Sequence, residues 1–484
     1  MAERKADRIS QIGYLERQGI DPYPPQIPKR THANALVAEN FESLQGTQVS
    51  VVGRVRGIRE HGKRTFIDVE DESGKVQITL TPDGVGTDQF ATFKNGFATG
   101  DIVSVSGNVF KTRSGEVTVD ASNFSMLAKA LLTPPEKLDD VETRTRQRYL
   151  DMIVNPEVRE RFKFRSQVVQ FMRERFMELG CWEVETPVLD TTYGGASAKP
   201  FKTHHNALGE EVYLRISNEL YLKRLAIGGL EGVFEFSRDF RNEGMDRTHN
   251  PEFTQVELYK AYTDYEYMMT MSENLMADIA QKHLGTTQIE YQGQQIDLST
   301  PWKRLSIYEG VKETLGIDAD TVTDEELQII AQREGIGETD RGYIFLELFD
   351  KYVSPNLISP TFVIDYPEST SPLTKKHRSK KGLTERFECV VAGMEVMNCY
   401  TELNDPRTQR ANFEAELKRR FEGDENAMQT DDDFIVAMEY GMPPMGGIGI
   451  SIDRWVMILK DLEHIRETIA FPTMKPKENS RKQK

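Results

Sequence analysis

Two neighbouring segments alternate apolar and polar side chains over an unusual length, and this alternation constrains the fold more than any other feature of the sequence. One face of residues 233–244 carries Phe234, Phe236, Arg238 and Phe240. The other face carries Glu235, Ser237, Asp239, Arg241 and Glu243. Residues 253–260 repeat the alternation, with Val256 and Leu258 opposite Phe253, Gln255, Glu257 and Tyr259. Because successive strand side chains point to opposite faces, the pattern predicts a long antiparallel hairpin with an apolar back and a charged front.

The composition of the charged front indicates a binding or catalytic site. Most alternating strands are simply solvated on their polar face, but this face combines arginine, glutamate, glutamine, tyrosine and phenylalanine. The polar loop between the two strands adds Arg247 and His249. We therefore expect the hairpin to line a site.

Residues 385–405 predict a second hairpin, which turns at residues 392–393. With a two-residue turn, Glu388 is expected opposite Met397, and Glu395 becomes its diagonal neighbour on the same face, with Cα atoms about 7–8 Å apart. Two carboxylates at that spacing can share a hard cation such as Mg²⁺. Taken alone, the segment fits surface carboxylates on an edge strand equally well.

The return strand of this second hairpin carries a further polar row. Asn398, Tyr400 and Glu402 alternate on one face, but their parity is opposite to that of Glu395. If this row and both carboxylates line one cavity, the strand must contain a β-bulge between Glu395 and Asn398, because one extra residue reverses the parity.

Residues 441–454 predict a glycine-rich strand that continues into a helix. Large and small side chains alternate along it in the order Ile448, Gly449, Ile450, Ser451 and Ile452. Small residues on one face let a flat ligand lie against a strand. Arg454 falls where the strand becomes a helix, a position suited to a phosphate or an aromatic base. A glycine-rich turn before a core helix would explain this motif too, if it stood alone.

The rest of the chain predicts an α+β protein. Residues 1–20 form an amphipathic helix, and five short β runs between residues 47 and 126 suit a small barrel such as the OB-fold. Residues 157–180 predict a helix that ends at a glycine. Helices are also expected at residues 264–284 and 323–334, both at the periphery.

Charge is distributed unevenly along the sequence. The 484 residues carry 61 basic and 77 acidic side chains, for a formal charge of −16, which by itself argues against a polyanionic partner. The first 150 residues hold 20 of each sign, so all the excess acid lies after them. This neutral part includes a local basic run of Arg54, Arg56, Arg59, Lys63 and Arg64. The charge argument therefore has to be applied to each part separately.

Several protein classes are excluded by what the sequence lacks. Cys181, Cys389 and Cys399 show no CxxC spacing, so a disulfide framework or a structural zinc site is not expected. No stretch approaches the roughly 18 apolar residues of a membrane helix, and the charged start lacks the apolar core of a signal peptide. We expect a protein of the reducing cytoplasm without a membrane span. The GxxxxGK[ST] and GxGxxG phosphate-binding motifs are also absent, so any nucleotide binds by another route.

Taken together, these segments resemble a known family. The helix of residues 157–180 with residues 182–187, the first hairpin, and residues 447–454 are similar to motifs 1, 2 and 3 of class II aminoacyl-tRNA synthetases. The closer resemblance is to lysyl-tRNA synthetases, through GGASAKPF at 194–201, THHNAL at 203–208, YLRISNELYLKRL at 213–225, SPLTKKH at 371–377 and TELND at 401–405. The resemblance covers nearly the whole chain, including the barrel.

The resemblance implies an α+β fold of defined parts: an N-terminal OB-fold barrel, then a class II catalytic domain with an antiparallel sheet flanked by helices. The implied parts are an N-terminal helix and linker at 1–46, the barrel at 47–132, a hinge at 133–150, the catalytic domain at 151–477 with a helical insertion near 311–340, and a basic tail at 478–484.

The resemblance also implies an enzyme that activates L-lysine with ATP and then charges tRNA(Lys). Its lysine-binding residues would be Gly195, Glu219, Arg241, Glu257, Tyr259, Asn398, Tyr400 and Glu402. Glu257 and Glu402 would bind the ε-ammonium. Glu219 and the Gly195 backbone would hold the α-ammonium, while Arg241 contacts the carboxylate and the α-phosphate.

The implied ATP-binding residues are Arg241, Glu243, His249, Phe253, Glu388 and Arg454. Adenine would lie between Phe253 and Arg454 by stacking and cation–π contact. Glu388 and Glu395 would hold Mg²⁺. Arg241 and Arg454 would be the catalytic residues, acting by positioning and charge neutralisation without a covalent nucleophile.

The remaining implications concern tRNA, assembly and two departures from the family pattern. Phe66 would stack on an anticodon base, with Gln77 and Glu116 reading base edges. Motif 1 would build a homodimer. Met445 and Ser451 replace residues that are more often threonine and glycine in the family, and we expect them to narrow the adenine site and change ATP or inhibitor affinity.

Three alternatives compete with this interpretation. Aspartyl and asparaginyl enzymes share the barrel and the motifs. They need a cationic pocket for an acidic or amide side chain, whereas Glu257 and Glu402 would make this pocket acidic. Synthetase-like proteins that lysylate another protein resemble the catalytic part alone. A non-catalytic single-strand-binding OB protein leaves the carboxylates and arginines unexplained.

Overall fold

The computed structural model describes residues 2–421 and 429–476. The chain divides into two compact units, Met1–Asp139 and Asp140–Lys484. The predicted basic tail at 478–484 lies outside the described residues. In the part of the chain that is described, no helix combines the length and the apolar character needed to cross a bilayer.

The first unit is a small closed barrel with short helices. Its helices are α1 (Ala2–Arg17), α2 (Asn34–Glu39), α3 (Phe41–Leu44), α4 (Pro82–Val85) and α5 (Thr87–Gly96). Its strands are β1 (Gln48–His61), β2 (Arg64–Glu70), β3 (Lys75–Leu80), β4 (Ile102–Lys111) and β5 (Val117–Ala128). The strands close in the order β1-β2-β3-β5-β4, which confirms the predicted OB-fold barrel.

Two barrel strands extend beyond their predicted ends. The alternation of the sequence predicts the first of the five β runs at residues 48–55 and the last at residues 116–120, whereas β1 continues to His61 and β5 continues to Ala128. The register of β1 shifts between Val55 and Gly57, so its outer half is bent. Hydrophobic alternation weakens in this exposed half, which is why the sequence pattern ends before the strand does.

The second unit alternates helices with the strands of a large sheet. Its helices are α6 (Val141–Arg146), α7 (Arg148–Val154), α8 (Pro156–Glu178), α9 (Glu219–Ile227), α10 (Tyr265–Leu284), α11 (Ile307–Leu315), α12 (Asp324–Glu334), α13 (Arg341–Tyr352), α14 (Pro406–Phe421), α15 (Asp432–Glu439) and α16 (Ile452–Leu459). Its strands are β6 (Trp182–Glu183), β7 (Leu189–Asp190), β8 (Lys202–His205), β9 (Glu210–Leu214), β10 (Gly232–Phe240), β11 (Glu252–Ala261), β12 (Gln288–Tyr291), β13 (Gln294–Asp297), β14 (Lys303–Ser306), β15 (Thr361–Ile364), β16 (Arg386–Val391), β17 (Met394–Thr401) and β18 (Met445–Ser451).

The large sheet runs in the order β14-β15-β16-β17-β18-β11-β10-β6. Its inner pairs are antiparallel, as predicted, but at both edges the pairing is parallel: β14 with β15, and β6 with β10. The long hairpin is β10 with β11, in which Glu235 pairs with Glu257 and Ser237 with Gln255. Its back is part of the main hydrophobic core, with Phe234, Val256, Leu258, Ile448 and Ile450.

Helix α10 is a core element, so the prediction that residues 264–284 are peripheral was wrong. Met268, Met276 and Ile279 are fully buried in the core behind the sheet. The helix itself was predicted correctly to within one residue: it begins at Tyr265, and Asp264 caps it by accepting a hydrogen bond from the Tyr267 amide. Its many methionines adapt to the sheet surface on more than one face.

The second hairpin contains the β-bulge that a common cavity requires. Cys389 pairs with Met397 and Val390 pairs with Glu395, which leaves Val396 as the extra residue on β17. As a result Glu388 pairs with Asn398, not with Met397 as predicted. The two-residue turn is as expected, with Ala392 and Gly393 at φ of 49° and 70°.

A buried ion pair holds the barrel unit together. The Lys129 ammonium donates to Asp101 Oδ2 at 2.8 Å and to the Gly96 carbonyl at 2.7 Å, and both side chains are fully buried. Asp101 also accepts from the Ala98 and Ala130 amides. One carboxylate therefore connects the loop before β4 to the segment after β5.

Replacing this carboxylate should destabilise the barrel. We expect Asp101→Asn to cost about 3 kcal/mol of unfolding free energy, because it leaves the buried Lys129 ammonium uncompensated. Asp139→Asn is the matched control, since Asp139 pairs with Lys137 on the open surface, and we expect almost no change from it. Calorimetric unfolding of the full chain measures both, and equal losses in the two variants would contradict the role of burial.

Candidate active site

A cavity of about 460 Å³ opens on the polar front of the large sheet. It is lined by every residue that the sequence analysis assigned to the substrate and metal sites: Gly195, Glu219, Arg241, Glu243, His249, Phe253, Glu257, Tyr259, Glu388, Glu395, Asn398, Tyr400, Glu402 and Arg454. These residues come from segments more than 200 positions apart in the chain. The fold therefore assembles the three sequence motifs into a single site.

Glu257 is the acid at the inner end of the cavity that accepts hydrogen bonds from three neighbouring side chains. Its carboxylate accepts hydrogen bonds from the Ser217 hydroxyl at 2.9 Å, the Gln255 amide at 2.7 Å and the Tyr259 hydroxyl at 2.8 Å. Burial nevertheless raises the pKa of Glu257 to about 8, with Glu219 and Asp239 adding like-charge repulsion. A cationic ligand would stabilise the ionised form of this buried carboxylate.

Two further carboxylates face the same inner end, Glu219 at the start of α9 and Glu402 just after β17. Glu402 is completely buried, and its Oε1 atom accepts no hydrogen bond from any residue that the structure describes. Burial raises the pKa of Glu402, although the ion pair with Lys223 opposes that shift. A buried carboxylate oxygen without a hydrogen bond is a binding position for a positively charged donor.

Two glycines let these acids and their neighbours pack directly against the backbone. A Cβ atom on Gly447 would lie 2.1 Å from Glu402 Oε1 and 2.4 Å from the Tyr259 ring. Gly195 has φ of 83°, and a Cβ there would lie 2.9 Å from the Ser217 hydroxyl and 3.0 Å from Glu219 Cβ. Both positions require glycine, the second also because its left-handed conformation is strained for other residues.

The outer end of the cavity combines two arginines with a phenylalanine. The Arg241 guanidinium lies 5.1 Å from the centre of the Phe253 ring, within the range of a cation–π contact. Arg454 donates to the Glu395 carbonyl at 2.5 Å and lies 3.0 Å from His249 Nε2. The cation over Phe253 is thus Arg241, and an adenine between Phe253 and Arg454 stays a prediction.

Glu388 and Glu395 form a carboxylate pair at the side of the cavity. Burial raises the pKa of Glu388, and the neighbouring Glu395 raises it further. Arg386 opposes this shift through a 2.5 Å ion pair with Glu388. Neighbouring carboxylate oxygens fit a hard cation such as Mg²⁺. The described residues contain no cluster of three or more possible ligands, so a bound cation would take its other ligands from substrate and water.

The sequence analysis missed three basic residues that this site needs. Arg215 is buried and bonds both Glu235 at 2.8 Å and Asp239 at 3.2 Å, so these two acids of the predicted charged front are neutralised beneath the cavity. Arg386 lines the cavity, and Lys223 lies against Glu402. Arginine within the otherwise apolar run of residues 212–216 was a usable signal for Arg215, but nothing in the sequence indicates its partners.

The two departures from the family pattern lie in different places. Met445 is fully buried in an apolar cluster with Leu220 and Phe434 and does not line the cavity, so the expectation that it narrows the adenine site was wrong. Met445 is the first residue of β18, and the cavity is lined only by later residues of that strand, from Gly447 onwards. Ser451 does line the cavity, and its hydroxyl also caps α16 through the Arg454 amide.

The predicted anticodon residues share the outer surface of the barrel. Asp68 pairs with Gln77, so Phe66, two residues before Asp68, lies diagonally from Gln77 on the same face. Gln77 accepts a hydrogen bond from Thr118 at 2.9 Å. Glu116 is exposed directly before β5, and its carboxylate interacts electrostatically with Arg59 on β1. An accessible ring with polar groups beside it can bind an unstacked base.

Comparison with known proteins agrees with both units. Residues 140–475 match the family of class II tRNA synthetases (D, K and N), and residues 49–127 match the OB-fold nucleic acid binding domain. The chain is 46% identical to a lysine–tRNA ligase of Clostridium botulinum over 99% of this chain and 97% of that protein. It is 47% identical to the lysine–tRNA ligase of Carboxydothermus hydrogenoformans, over 97% and 98% of the two chains. For the Thermoanaerobacter pseudethanolicus enzyme the identity is 46%, over 97% and 95%. Since the matches span both units and nearly the full length, the chain belongs to the lysine–tRNA ligase family of class II aminoacyl-tRNA synthetases.

Proposed function

We propose that this protein activates L-lysine with ATP and transfers the lysyl group to the 3′ end of tRNA(Lys). The observation that carries the proposal is the convergence of Glu219, Glu257 and Glu402 on the closed inner end of the cavity. Lysine has two ammonium groups, and an acidic pocket of this size recognises both.

The same pocket argues against the related amino acids. Aspartate would place its side-chain carboxylate against Glu257 and Glu402, and asparagine would leave buried charge without a cationic partner. We assign the ε-ammonium to Glu257 and Glu402, with Tyr259, Asn398 and Tyr400 shaping the pocket. This assignment is supported by the unsatisfied Glu402 oxygen.

The α-amino and carboxylate groups of lysine would lie toward the middle of the cavity. Glu219 and the Gly195 backbone are adjacent there and would hold the α-ammonium. Arg241 would contact both the lysine carboxylate and the α-phosphate, which brings the reacting groups together. Such positioning converts an encounter of two substrates into a reaction within one complex.

ATP would occupy the outer end of the cavity. Phe253 and Arg454 would hold the base, with Glu243 and His249 beside the phosphates, and Glu388 and Glu395 would bind Mg²⁺. When bound, Mg²⁺ neutralises phosphate charge and helps to orient the leaving pyrophosphate.

The chemistry we propose is a direct displacement. The lysine carboxylate attacks the α-phosphate, lysyl-adenylate forms and pyrophosphate leaves; the terminal hydroxyl of tRNA(Lys) then takes the lysyl group and AMP leaves. Arg241 and Arg454 would stabilise the charge that develops on the phosphate. No residue of the chain is needed as a covalent nucleophile.

The barrel would read the anticodon, with Phe66 stacking on a base and Gln77 and Glu116 contacting base edges. The neutral charge of the N-terminal part and its local basic residues suit single-stranded RNA better than the overall charge suggests. A non-catalytic RNA-binding role would leave the acidic pocket without a purpose.

We also propose a homodimer in a reducing compartment such as the cytoplasm. Strand β6 is an edge of the large sheet, and Trp182 on it is 62% exposed; Val188 and Leu189, further along the chain, are exposed as well. A symmetric contact with a second copy would cover this apolar edge. The three cysteines are free and buried, which fits a reducing compartment.

Lysine-dependent exchange between ATP and pyrophosphate tests the proposed activity. We expect exchange with lysine and Mg²⁺, and none above background with aspartate or asparagine. No exchange with lysine, or a stronger signal with an acidic or amide amino acid, would refute the proposal.

Lysine binding should release a proton near pH 7. Burial holds the pKa of Glu257 near 8, so its carboxyl is mostly protonated in the free protein at pH 7 and must ionise to pair with the ε-ammonium. Affinity should therefore rise up to about tenfold per pH unit towards pH 8 and level off above it. Calorimetric titration in two buffers of different ionisation enthalpy measures the released proton.

Glu257→Gln is the matched variant for this measurement. It keeps the size of the side chain but cannot ionise, so lysine should bind more than about tenfold more weakly and with a flatter pH dependence. Normal lysine activation by this variant, or wild-type affinity that does not change between pH 6 and 8, would contradict the pocket assignment.

Phe66→Leu should affect tRNA and leave amino-acid activation intact. Loss of one stacked base costs about 1–3 kcal/mol, so kcat/KM for tRNA(Lys) should fall roughly tenfold or more, while lysine-dependent exchange stays unchanged. Phe90→Leu on α5 is the control, because Phe90 is half-buried elsewhere in the barrel. Equal effects of both substitutions on tRNA charging would argue against Phe66 as a base platform.

A further inference from the structure

A lysine side chain of the protein itself lies buried among the pocket acids. Lys223 on α9 is 1% exposed at its side chain. Its ammonium lies 2.5 Å from Glu219 Oε1 and forms an ion pair with Glu402, and it lies 5.8 Å from the centre of the Tyr259 ring. Each of these three partners lines the cavity.

Charge at the inner end balances only when Lys223 is counted. When all three acids are ionised, as pairing with a bound ligand requires, Glu219, Glu257 and Glu402 contribute three negative charges and Lys223 contributes one positive charge, which leaves a net charge of minus two. The two ammonium groups of a bound lysine would neutralise this charge. Without the Lys223 ammonium, the same ligand would leave one buried carboxylate without a counter-ion.

We propose that Lys223 is a positioning residue that sets the net charge of the amino-acid pocket and fixes Glu219 and Glu402 for the two substrate ammonium groups. The inference rests on the proposed function, since it concerns how the same pocket selects a doubly cationic amino acid.

The two oxygens of Glu402 differ in their partners. The Lys223 ammonium pairs with Glu402 through Oε2, whereas Oε1 accepts no hydrogen bond from any described residue. Oε1 lies close against the backbone of residue 447, which is possible only because that residue is glycine. Glu402 therefore has one oxygen paired with the resident cation and one whose hydrogen-bonding capacity is unused.

The electrostatic surroundings keep Lys223 charged. Burial acts to lower the pKa of Lys223, but Glu219 and Glu402 together hold it above its ordinary value. The ionisable groups around this cluster come from every neighbouring element: Glu219 on α9, Asp239 on β10, Glu257 and Tyr259 on β11, Arg386 on β16, and Tyr400 and Glu402 on and after β17. Removal of the Lys223 charge would raise the pKa of Glu402 further, because Lys223 is the cation that opposes the effects of burial and of Glu219 there.

The test is the pH dependence of the lysine KM in ATP–pyrophosphate exchange. The wild type is measured first: absence of lysine-dependent exchange would refute the proposed function and this inference with it, whereas with normal exchange the variants decide the role of Lys223 separately. Lys223→Met keeps nearly the length of the side chain and removes its charge. We expect this substitution to move the midpoint of the KM profile up by about one pH unit. The lysine KM at pH 7 should rise roughly tenfold, with the ATP KM unchanged.

A double variant separates charge from packing. Lys223→Met with Glu402→Gln removes the ion pair as a unit and restores a net charge of minus two, so we expect its midpoint to return towards that of the wild type. Lys129→Met is the control, because it neutralises another buried, ion-paired lysine in the barrel and should leave the midpoint in place.

Each outcome decides the matter. A wild-type midpoint in Lys223→Met would overturn the inference, and so would a double variant that remains shifted like the single one. If Lys223→Met fails to fold while the double variant folds, the counter-ion role is supported, since charge and not packing then decides. If neither variant folds, Lys223 is a packing residue and the inference is wrong.

Discussion

Charge that is removed from water has to be paired, and this requirement organises the inner end of the cavity. Glu257 receives three hydrogen bonds, Glu219 and Glu402 share the Lys223 ammonium, and Arg215 neutralises the two acids below them. In surroundings of low polarity each of these contacts is worth more than it would be in water, and each unpaired oxygen costs more. The pocket therefore holds its acids in fixed positions while the carboxylates still outnumber the cations around them. This excess of negative charge selects a cationic ligand.

The sheet supplies the rigid frame on which these charges are held. Strands β10, β11, β17 and β18 lie side by side, so Glu257, Tyr259, Asn398 and Tyr400 are fixed by backbone pairing. Gly447 and Gly195 let the backbone approach the pocket side chains closely. The outer end is built differently, from exposed or half-buried side chains such as His249 and Arg454, which suits a site that has to admit ATP and tRNA in turn.

Much of this arrangement could be predicted from the sequence, because local patterns determine strands, turns and helix starts. The alternation in residues 233–260 predicts the hairpin and its faces, and parity requires a bulge between Glu395 and Asn398 once both polar rows are taken to line one cavity. The partners of buried charges could not be predicted, since Arg215 and Lys223 meet their acids only through tertiary packing. The same limit explains two errors. Nothing in residues 264–284 shows that helix α10 is covered on several sides, and nothing near Met445 shows that its side chain faces away from the cavity.

The bulge at Val396 has a consequence for how this segment can vary among relatives. A substitution on β17 changes one side chain, but a deletion beside Val396 would carry Glu395 to the core face, because a slip of one residue inverts a strand. The length of residues 388–402 therefore determines which side chains reach the cavity, just as their identities do. A relative with one residue fewer between the two carboxylates would carry a different charge in its cavity, even if every other residue of the segment were the same.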